Sequence, residues 1–90
     1  MDKEIHKIVK EFTADIAAQA GIRVTKIVIV EGKDVGCVDT HLMNLISKGY
    51  LVSVLVYRSD MEQLQAGQPC YRLEMKIRTA LSRLKCMLES

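Results

Sequence analysis

The sequence predicts one small domain of the α/β or α+β class, in which a minimal sheet is flanked by helices. Three observations support this prediction. Amphipathic segments with apolar residues three and four apart stand near both ends of the chain, and runs rich in β-branched residues lie between them. The ninety residues suit a single domain that spans 1–90.

The first element is a predicted helix that begins with Asp2 as its N-cap and ends before Gly21. Gly21 is followed by the apolar Ile22, which is the pattern of a Schellman stop. The helix has one apolar stripe and one charged side. The stripe consists of Ile5, Ile8, Val9, Phe12 and Ile16.

Two segments predict long strands. Residues 22–31 alternate at first and then contain four consecutive β-branched residues, from Ile27 to Val30. In the second segment, Tyr50–Tyr57, Ser53 is the only polar residue within an apolar run. The end of the first run, Ile27–Val30, is apolar on both faces and predicts a strand covered on both sides at that end, and Tyr50–Tyr57 predicts a central, buried strand.

Residues 39–48 predict a helix between these strands. Asp39 and Thr40 are good N-cap residues, and Gly49 suits the position after the last turn. A helix here favours a right-handed parallel crossover between the two strands. The predicted apolar stripe is Leu42, Leu45 and Ile46.

The segment before that helix is open to two interpretations. Glu31–Gly36 is a turn with two glycines, and Val35–Val38 follows either as a loop or as a very short strand. A strand there would form an antiparallel hairpin with the preceding one, whereas a loop would lead directly to the helix.

A short helical turn and a long helix complete the chain. Ser59 and Glu62 form a capping-box pattern, the turn stops by Gly67, and Pro69 suits the first position of the last helix. The predicted order is therefore α-β-(β)-α-β-α. The last helix carries an apolar stripe of Cys70, Leu73, Ile77, Ala80, Leu84 and Met87.

So small a sheet predicts self-association. Two or three strands leave sheet edges open, and independent stability needs three or more strands or good helix cover. A homodimer that continues the sheet, or that packs helices across a two-fold axis, would supply this cover. In the other interpretation, the stripe of the last helix simply covers the sheet of its own chain.

Composition excludes several classes of protein. With 49% hydrophobic and 27% charged residues, the chain suits a soluble globular domain. Cys37, Cys70 and Cys86 are odd in number and widely spaced, which disfavours a disulfide scaffold and a zinc site. The free thiols, the charged N-terminus and the lack of a long apolar run predict a cytoplasmic protein without a membrane partner.

Basic residues are concentrated in the second half of the chain. Residues 46–90 contain seven Lys or Arg and four Asp or Glu, although the whole chain carries only +2. Arg72, Lys76 and Arg83 fall on one side of the last helix, where they would contact phosphates or an acidic partner. The other interpretation is a solvated helix face. Tyr71 is the only ring nearby, so single-strand binding by stacking is poorly supported.

The segment Lys26–Asp34 joins a hydrophobic strand to Glu31 and a glycine. It resembles the opening motif of the Toprim domain family, found in topoisomerases, primases and small nucleases. The resemblance implies a Mg²⁺-dependent phosphotransfer site in which Asp34, Asp60 or Glu62 converges on Glu31. The chain departs from the family pattern in two places, because the residue four after the glutamate is not acidic and no Asp-x-Asp follows a later strand. A strand that ends in a solvated polar turn is the other interpretation.

No complete catalytic constellation is visible. Nucleotide-binding, serine-hydrolase and zinc-protease motifs are absent, and neither His6 nor His41 has an evident reacting partner. We therefore assign no cofactor, catalytic residue or metal ligand. The predicted function is a non-enzymatic protein-interaction module that acts as a homo-oligomer and presents a helix face or the loop Glu31–Val38. Nucleic-acid binding and a minimal Toprim-like site are the alternatives. The candidate binding residues are Arg72, Lys76, Arg83, Glu31 and Asp34.

Overall fold

The structure is a computed structural model, and it describes residues 2–31 and 39–89. Helices stand at both ends of the chain with three consecutive strands between them, which confirms a mixed α+β domain built on a small sheet. The elements in chain order are α1 (Asp2–Gln19), β1 (Lys26–Val30), β2 (Thr40–Ser47), β3 (Tyr50–Tyr57), α2 (Arg58–Gln65) and α3 (Tyr71–Glu89).

The three strands form one antiparallel sheet in the order β1-β2-β3. Val30 lies opposite Leu42 in the first pair, and Leu42 lies opposite Leu55 in the second. The predicted parallel crossover is therefore wrong, because consecutive strands pair directly with one another. As a result β3 is an edge strand and not a central one.

The predicted helix over residues 39–48 is wrong, since this segment is β2. Leu42, Leu45 and Ile46 have helical spacing, but the same spacing arises in a strand with apolar residues on both faces. Met43 and Leu45 are fully buried on the face that meets the helices, whereas Leu42 and Ile46 belong to the opposite face. Pairing on both sides decides in favour of the strand.

A two-residue turn joins β2 to β3. Ser47 pairs with Tyr50, so only Lys48 and Gly49 lie between the strands, with φ angles of 51° and 85°. Positive φ at both positions is the type I′ geometry that matches the twist of a hairpin. Gly49, predicted to end a helix, instead supplies one of these two positions.

Neither outer strand is covered on both faces, contrary to prediction. β1 is shorter than the predicted 22–31, and its residues are at most half-buried. In β3, valines face the core while Leu51 and Leu55 are exposed on the other face. The open question about Val35–Val38 falls on residues outside the described part of the chain.

The C-terminal end of α1 follows the sequence signals, whereas Asp2, the predicted N-cap, is the first residue of the helix. The helix occupies Asp2–Gln19, Gly21 has a φ of 71°, and the Ile22 amide donates to the Ala17 carbonyl at 2.9 Å. The Gly21 amide donates to Ala18 at 3.1 Å, which completes the predicted Schellman stop.

The start of α2 differs from the prediction. The helix begins at Arg58, its N-cap is Tyr57, and no side chain caps it. The predicted capping box is therefore wrong. With Tyr57 as the N-cap, Asp60 takes the third helical position, where a carboxylate favours the positive end of the helix dipole.

The last helix covers the sheet of its own chain. α3 begins at Tyr71, two residues after Pro69, and packs against β3. Its apolar stripe joins one aliphatic core with residues from α1, α2 and one face of the sheet. No helix in the described ranges is long and apolar enough to cross a membrane. The buried residues of the stripe are Cys70, Leu73, Ile77, Ala80, Leu81 and Leu84.

Candidate binding surfaces

Two of the predicted basic residues, Lys76 and Arg83, line one groove between β3 and α3. They are seven residues apart, which is about two helical turns, so their side chains leave α3 on the same side. The groove has a volume of about 460 Å³. We call it the β3–α3 groove, and its polar and aromatic lining residues are Ser53, Tyr57, Lys76, Thr79 and Arg83.

Lys76 is held in place by β3. Its Nζ donates to the Leu55 carbonyl oxygen at 3.3 Å and lies 4.1 Å from the centre of the Tyr57 ring. The first contact places the Lys76 ammonium group at the outer edge of β3, on the side away from β2. The second is a cation–π contact. The backbone of β3 is therefore accessible from the groove.

Arg72 has a different role from the other two basic residues. Its Cζ lies 5.7 Å from the Tyr57 ring centre, beyond the end of the groove. A terminal nitrogen contacts Oδ1 of Asp60 at 2.6 Å, and Nε contacts the same oxygen at 3.2 Å. The carboxylate of Asp60 is fully buried. Arg72 is thus bound to its own protein and serves to hold the starts of α2 and α3 together.

Asp60 and Cys70 form a buried network with Arg72. Burial raises the pKa of Asp60, but the hydrogen bonds from Arg72 and Cys70 and the charge of Arg72 bring this pKa below its ordinary value. Burial, and then the adjacent Asp60, raise the pKa of the Cys70 thiol. Because the thiolate is the nucleophilic form, Cys70 is a poor nucleophile.

Glu31 lies beside two histidines from other elements. Its Oε1 is 3.7 Å from Nε2 of His6 in α1, and the His6 ring meets the His41 ring edge-on with 6.2 Å between their centres. Sequence spacing does not indicate this group, because the pairing of β1 with β2 brings Glu31 near His41. Asp34 lies outside the described residues.

The acidic residues named by the Toprim resemblance have other partners. Asp60 binds Arg72, and Glu62 lies 3.6 Å from Arg58 one turn away. Across residues 2–31 and 39–89, no group of three or more His, Cys, Asp or Glu side chains is arranged to hold a metal ion. The described residues therefore do not assemble the site that the resemblance implies.

The sheet face turned away from the helices is largely apolar. Leu51 is 52% exposed and Leu55 is 49% exposed, whereas an antiparallel sheet ordinarily presents polar residues to solvent. Among the described residues, Lys26 is the only side chain on it that is charged at neutral pH. We call this the open sheet face, and its residues are Lys26, Val28, Val30, Thr40, Leu42, Asn44, Ile46, Leu51, Ser53, Leu55 and Tyr57.

The sequence contained a signal for this face. Apolar residues on both sides of β1 and β3 were interpreted as cover from two layers, although helices lie on one side only in the described part of the chain. The same pattern is expected of a sheet that buries its second face in an assembly.

Comparisons with known proteins find no match. No protein-family model matches the chain, and neither a curated protein nor a solved structure matches it. The open sheet face and the β3–α3 groove are therefore the basis for a functional proposal.

Proposed function

We propose that the protein is a non-enzymatic interaction module that acts as a homodimer, in which two copies pack through their open sheet faces. One observation supports this proposal, namely the large apolar side chains on a face that no helix in residues 2–31 and 39–89 covers. Val30 is 37% exposed and Tyr57 is 40% exposed, in addition to the two leucines of β3. Such a patch marks an interaction site more often than a solvated surface.

The chemistry of the face favours a second copy as the partner. A face whose single charged group in the described part of the chain is Lys26 is complementary to another nearly neutral, apolar face. Its central polar groups already satisfy each other, since the Ser53 hydroxyl donates to Oδ1 of Asn44 at 2.7 Å. Burial of this pair therefore leaves its hydrogen bond intact. Two such sheets would stack about 10 Å apart, as in a β-sandwich.

The size of the face predicts a weak dimer. β2 and β3 have eight residues each. At about 3.3 Å per residue and about 4.8 Å per strand, the sheet measures roughly 26 by 14 Å. This footprint of about 360 Å² is about half of the roughly 800 Å² that each partner buries in a standard interface. We expect a dissociation constant in the micromolar range, on the order of 10–100 µM.

Sedimentation of the full chain at increasing concentration tests the proposal. We expect the wild type to pass from the 10.1 kDa monomer to twice that mass, and Leu51→Lys to remain monomeric. Leu51 is suitable because it lies on the open sheet face but not in the groove. Tyr71→Lys is the control, since Tyr71 is 72% exposed on α3, away from this face.

Two results would refute the dimer. The first is a wild type that stays monomeric up to about 500 µM, well above the expected dissociation constant. The second is a dimer that survives Leu51→Lys and a second substitution on the same face, Leu55→Lys. In that case the copies associate through another surface.

The buried polar groups support a binding role over a catalytic one. Asp60 is occupied by Arg72, and Cys70 is held as a thiol. The basic residues give less support to nucleic-acid binding than the sequence suggested, because Arg72 is bound to Asp60 and Arg78 to Glu74 at 2.9 Å. Nucleic-acid binding stays a prediction, and the experiment on the groove below includes it.

A further inference from the structure

We propose that the β3–α3 groove binds an extended acidic segment of a partner protein, which adds to β3 as a further strand. This inference does not depend on the dimer, because it uses the edge of the sheet and one side of α3. Three features of the groove support it, and they concern its backbone, its charge and its preorganisation.

The first feature is the outward-facing backbone of β3. Lys76 reaches the Leu55 carbonyl from α3, so this carbonyl points away from β2. Within one residue of a paired strand, the N–H and the C=O point to the same side, and successive residues alternate. The backbone groups of Ser53 and Leu55 therefore point to the groove side of β3, whereas the Tyr57 amide already bonds the Asp60 carboxylate. A peptide strand would pair with Ser53 and Leu55 and take the place of Lys76 at the Leu55 carbonyl, as in other cases of strand addition.

The second feature is uncompensated positive charge. Lys76 and Arg83 are the only ionisable residues that line the groove apart from Tyr57, and among the described residues neither has a carboxylate partner. They are separated by about 10.5 Å along the helix axis. In a strand that rises about 3.3 Å per residue, acidic side chains two to four residues apart span a similar distance. An acidic peptide therefore complements the groove in both charge and spacing.

The third feature is that the groove is preorganised. The Tyr57 ring contacts the ammonium group of Lys76, and Arg72, which also lies near that ring, is held by Asp60. A side chain that is already held in place loses less conformational freedom when a ligand binds. The volume of about 460 Å³ and the apolar stretch that includes Leu55 and Met75 give room for side chains of the added strand.

Selection from a random peptide library tests this proposal on the full chain. Peptides about ten residues long match the length of a strand. We expect the enriched peptides to carry two or more Asp or Glu residues. The Arg83→Glu variant should weaken their binding by about tenfold or more, whereas Arg83→Lys should restore most of it. Lys85→Glu is the control, because Lys85 is exposed on the same helix and does not line the groove.

Amide hydrogen exchange distinguishes strand addition from binding through charge alone, because charge alone would leave the backbone amides of β3 unprotected. If the peptide adds as a strand, the amides of Ser53 and Leu55 become protected when it binds, and they become protected equally in the Leu51→Lys variant, which should not dimerise. The experiment therefore distinguishes failure of the proposed dimer from failure of the proposed peptide binding in the groove.

Three outcomes would overturn the proposal. The first is a library that enriches no peptide, or only peptides without acidic residues. The second is an enriched peptide that leaves the Ser53 and Leu55 amides unprotected. The third is a mixed-sequence single-stranded DNA probe that binds the groove more tightly than the peptide and loses its affinity steeply with salt, which would identify a nucleic-acid interface instead.

Discussion

Arg72 lies over half exposed at the start of α3, yet its guanidinium contacts Asp60, a carboxylate with no exposed surface, at 2.6 Å. The contact connects the first turn of α2 with the first turn of α3. A buried carboxylate without a cation would carry a large desolvation penalty, so the two helices depend on this ion pair. The stability of the fold is therefore sensitive to a residue that looks like part of a solvated surface.

Removal of Arg72 should destabilise the protein far more than removal of Arg58. We expect Arg72→Ala to lower the midpoint of thermal unfolding by more than about 5 °C, because it leaves the charge of Asp60 buried and unpaired. Arg58→Ala is the control, since Arg58 and Glu62 are both more than half exposed. The control should shift the midpoint by less than about 2 °C. Equal shifts for the two variants would contradict the role assigned to Asp60.

Asp60 should make stability depend on acid pH. Because its pKa in the folded protein lies below the ordinary value, the ionised form stabilises the fold at neutral pH. This contribution is lost as the pH falls from about 4 through the lower pKa of the folded state. We expect the difference in unfolding free energy between the wild type and Asp60→Asn to shrink in that range. Urea titrations at several pH values measure it, with the exposed Asp15→Asn as the control. A difference that is constant with pH would refute this assignment.

The packing of α3 in the apolar core can be tested with two substitutions in this helix. Leu81 is fully buried, and we expect Leu81→Ala to lower the free energy of unfolding by about 2–5 kcal/mol. Met75 lies on the same helix but is 66% exposed, so Met75→Ala should change the free energy of unfolding by less than about 0.5 kcal/mol. Urea denaturation compares the two. A small loss for Leu81→Ala would show that α3 does not pack on the sheet as described.

Two neighbouring substitutions in the hairpin should have opposite effects. Lys48 adopts a positive φ that side chains other than Asn, Asp and Gly rarely accept, so Lys48→Asn should stabilise the fold by about 0.5–1 kcal/mol. Gly49→Ala should destabilise it by about 1–2 kcal/mol. A methyl group at Gly49 would have no neighbour within 4 Å, so this effect reports backbone strain alone. Urea denaturation of both variants provides the test, and changes of the same sign would contradict the type I′ turn.

Local signals in the sequence are sufficient to place the two terminal helices, but not the start of α2. Gly21 with Ile22 indicates the end of α1, and the alternation from Leu73 to Leu84 indicates the buried side of α3. Helical spacing alone also puts Lys76 and Arg83 on one side of α3, whereas Arg72, predicted to belong with them, does not line the groove. Each of these features depends on residues within a few turns of one another.

Local sequence patterns do not predict features that depend on pairing between strands. Leu42, Leu45 and Ile46 fit a helix as well as a two-faced strand, and only β1 and β3 on either side decide between them. The contact of Lys76 with Tyr57 depends on how α3 lies against the edge of the sheet. The ion pair of Arg72 with Asp60 likewise depends on the relative positions of two helices.

The tight turn at Lys48 and Gly49 has a consequence for the order of folding. It joins the two longest strands, so their eight-residue pairing requires closure of the smallest loop in the sheet. The entropy lost on closing a loop rises with its length, and a hairpin of this kind forms in about 1–10 µs. We expect this hairpin to form before α1 meets α3, whose residues are far apart in the chain. Substitutions in the turn should then slow folding, and those between the terminal helices should mainly speed unfolding.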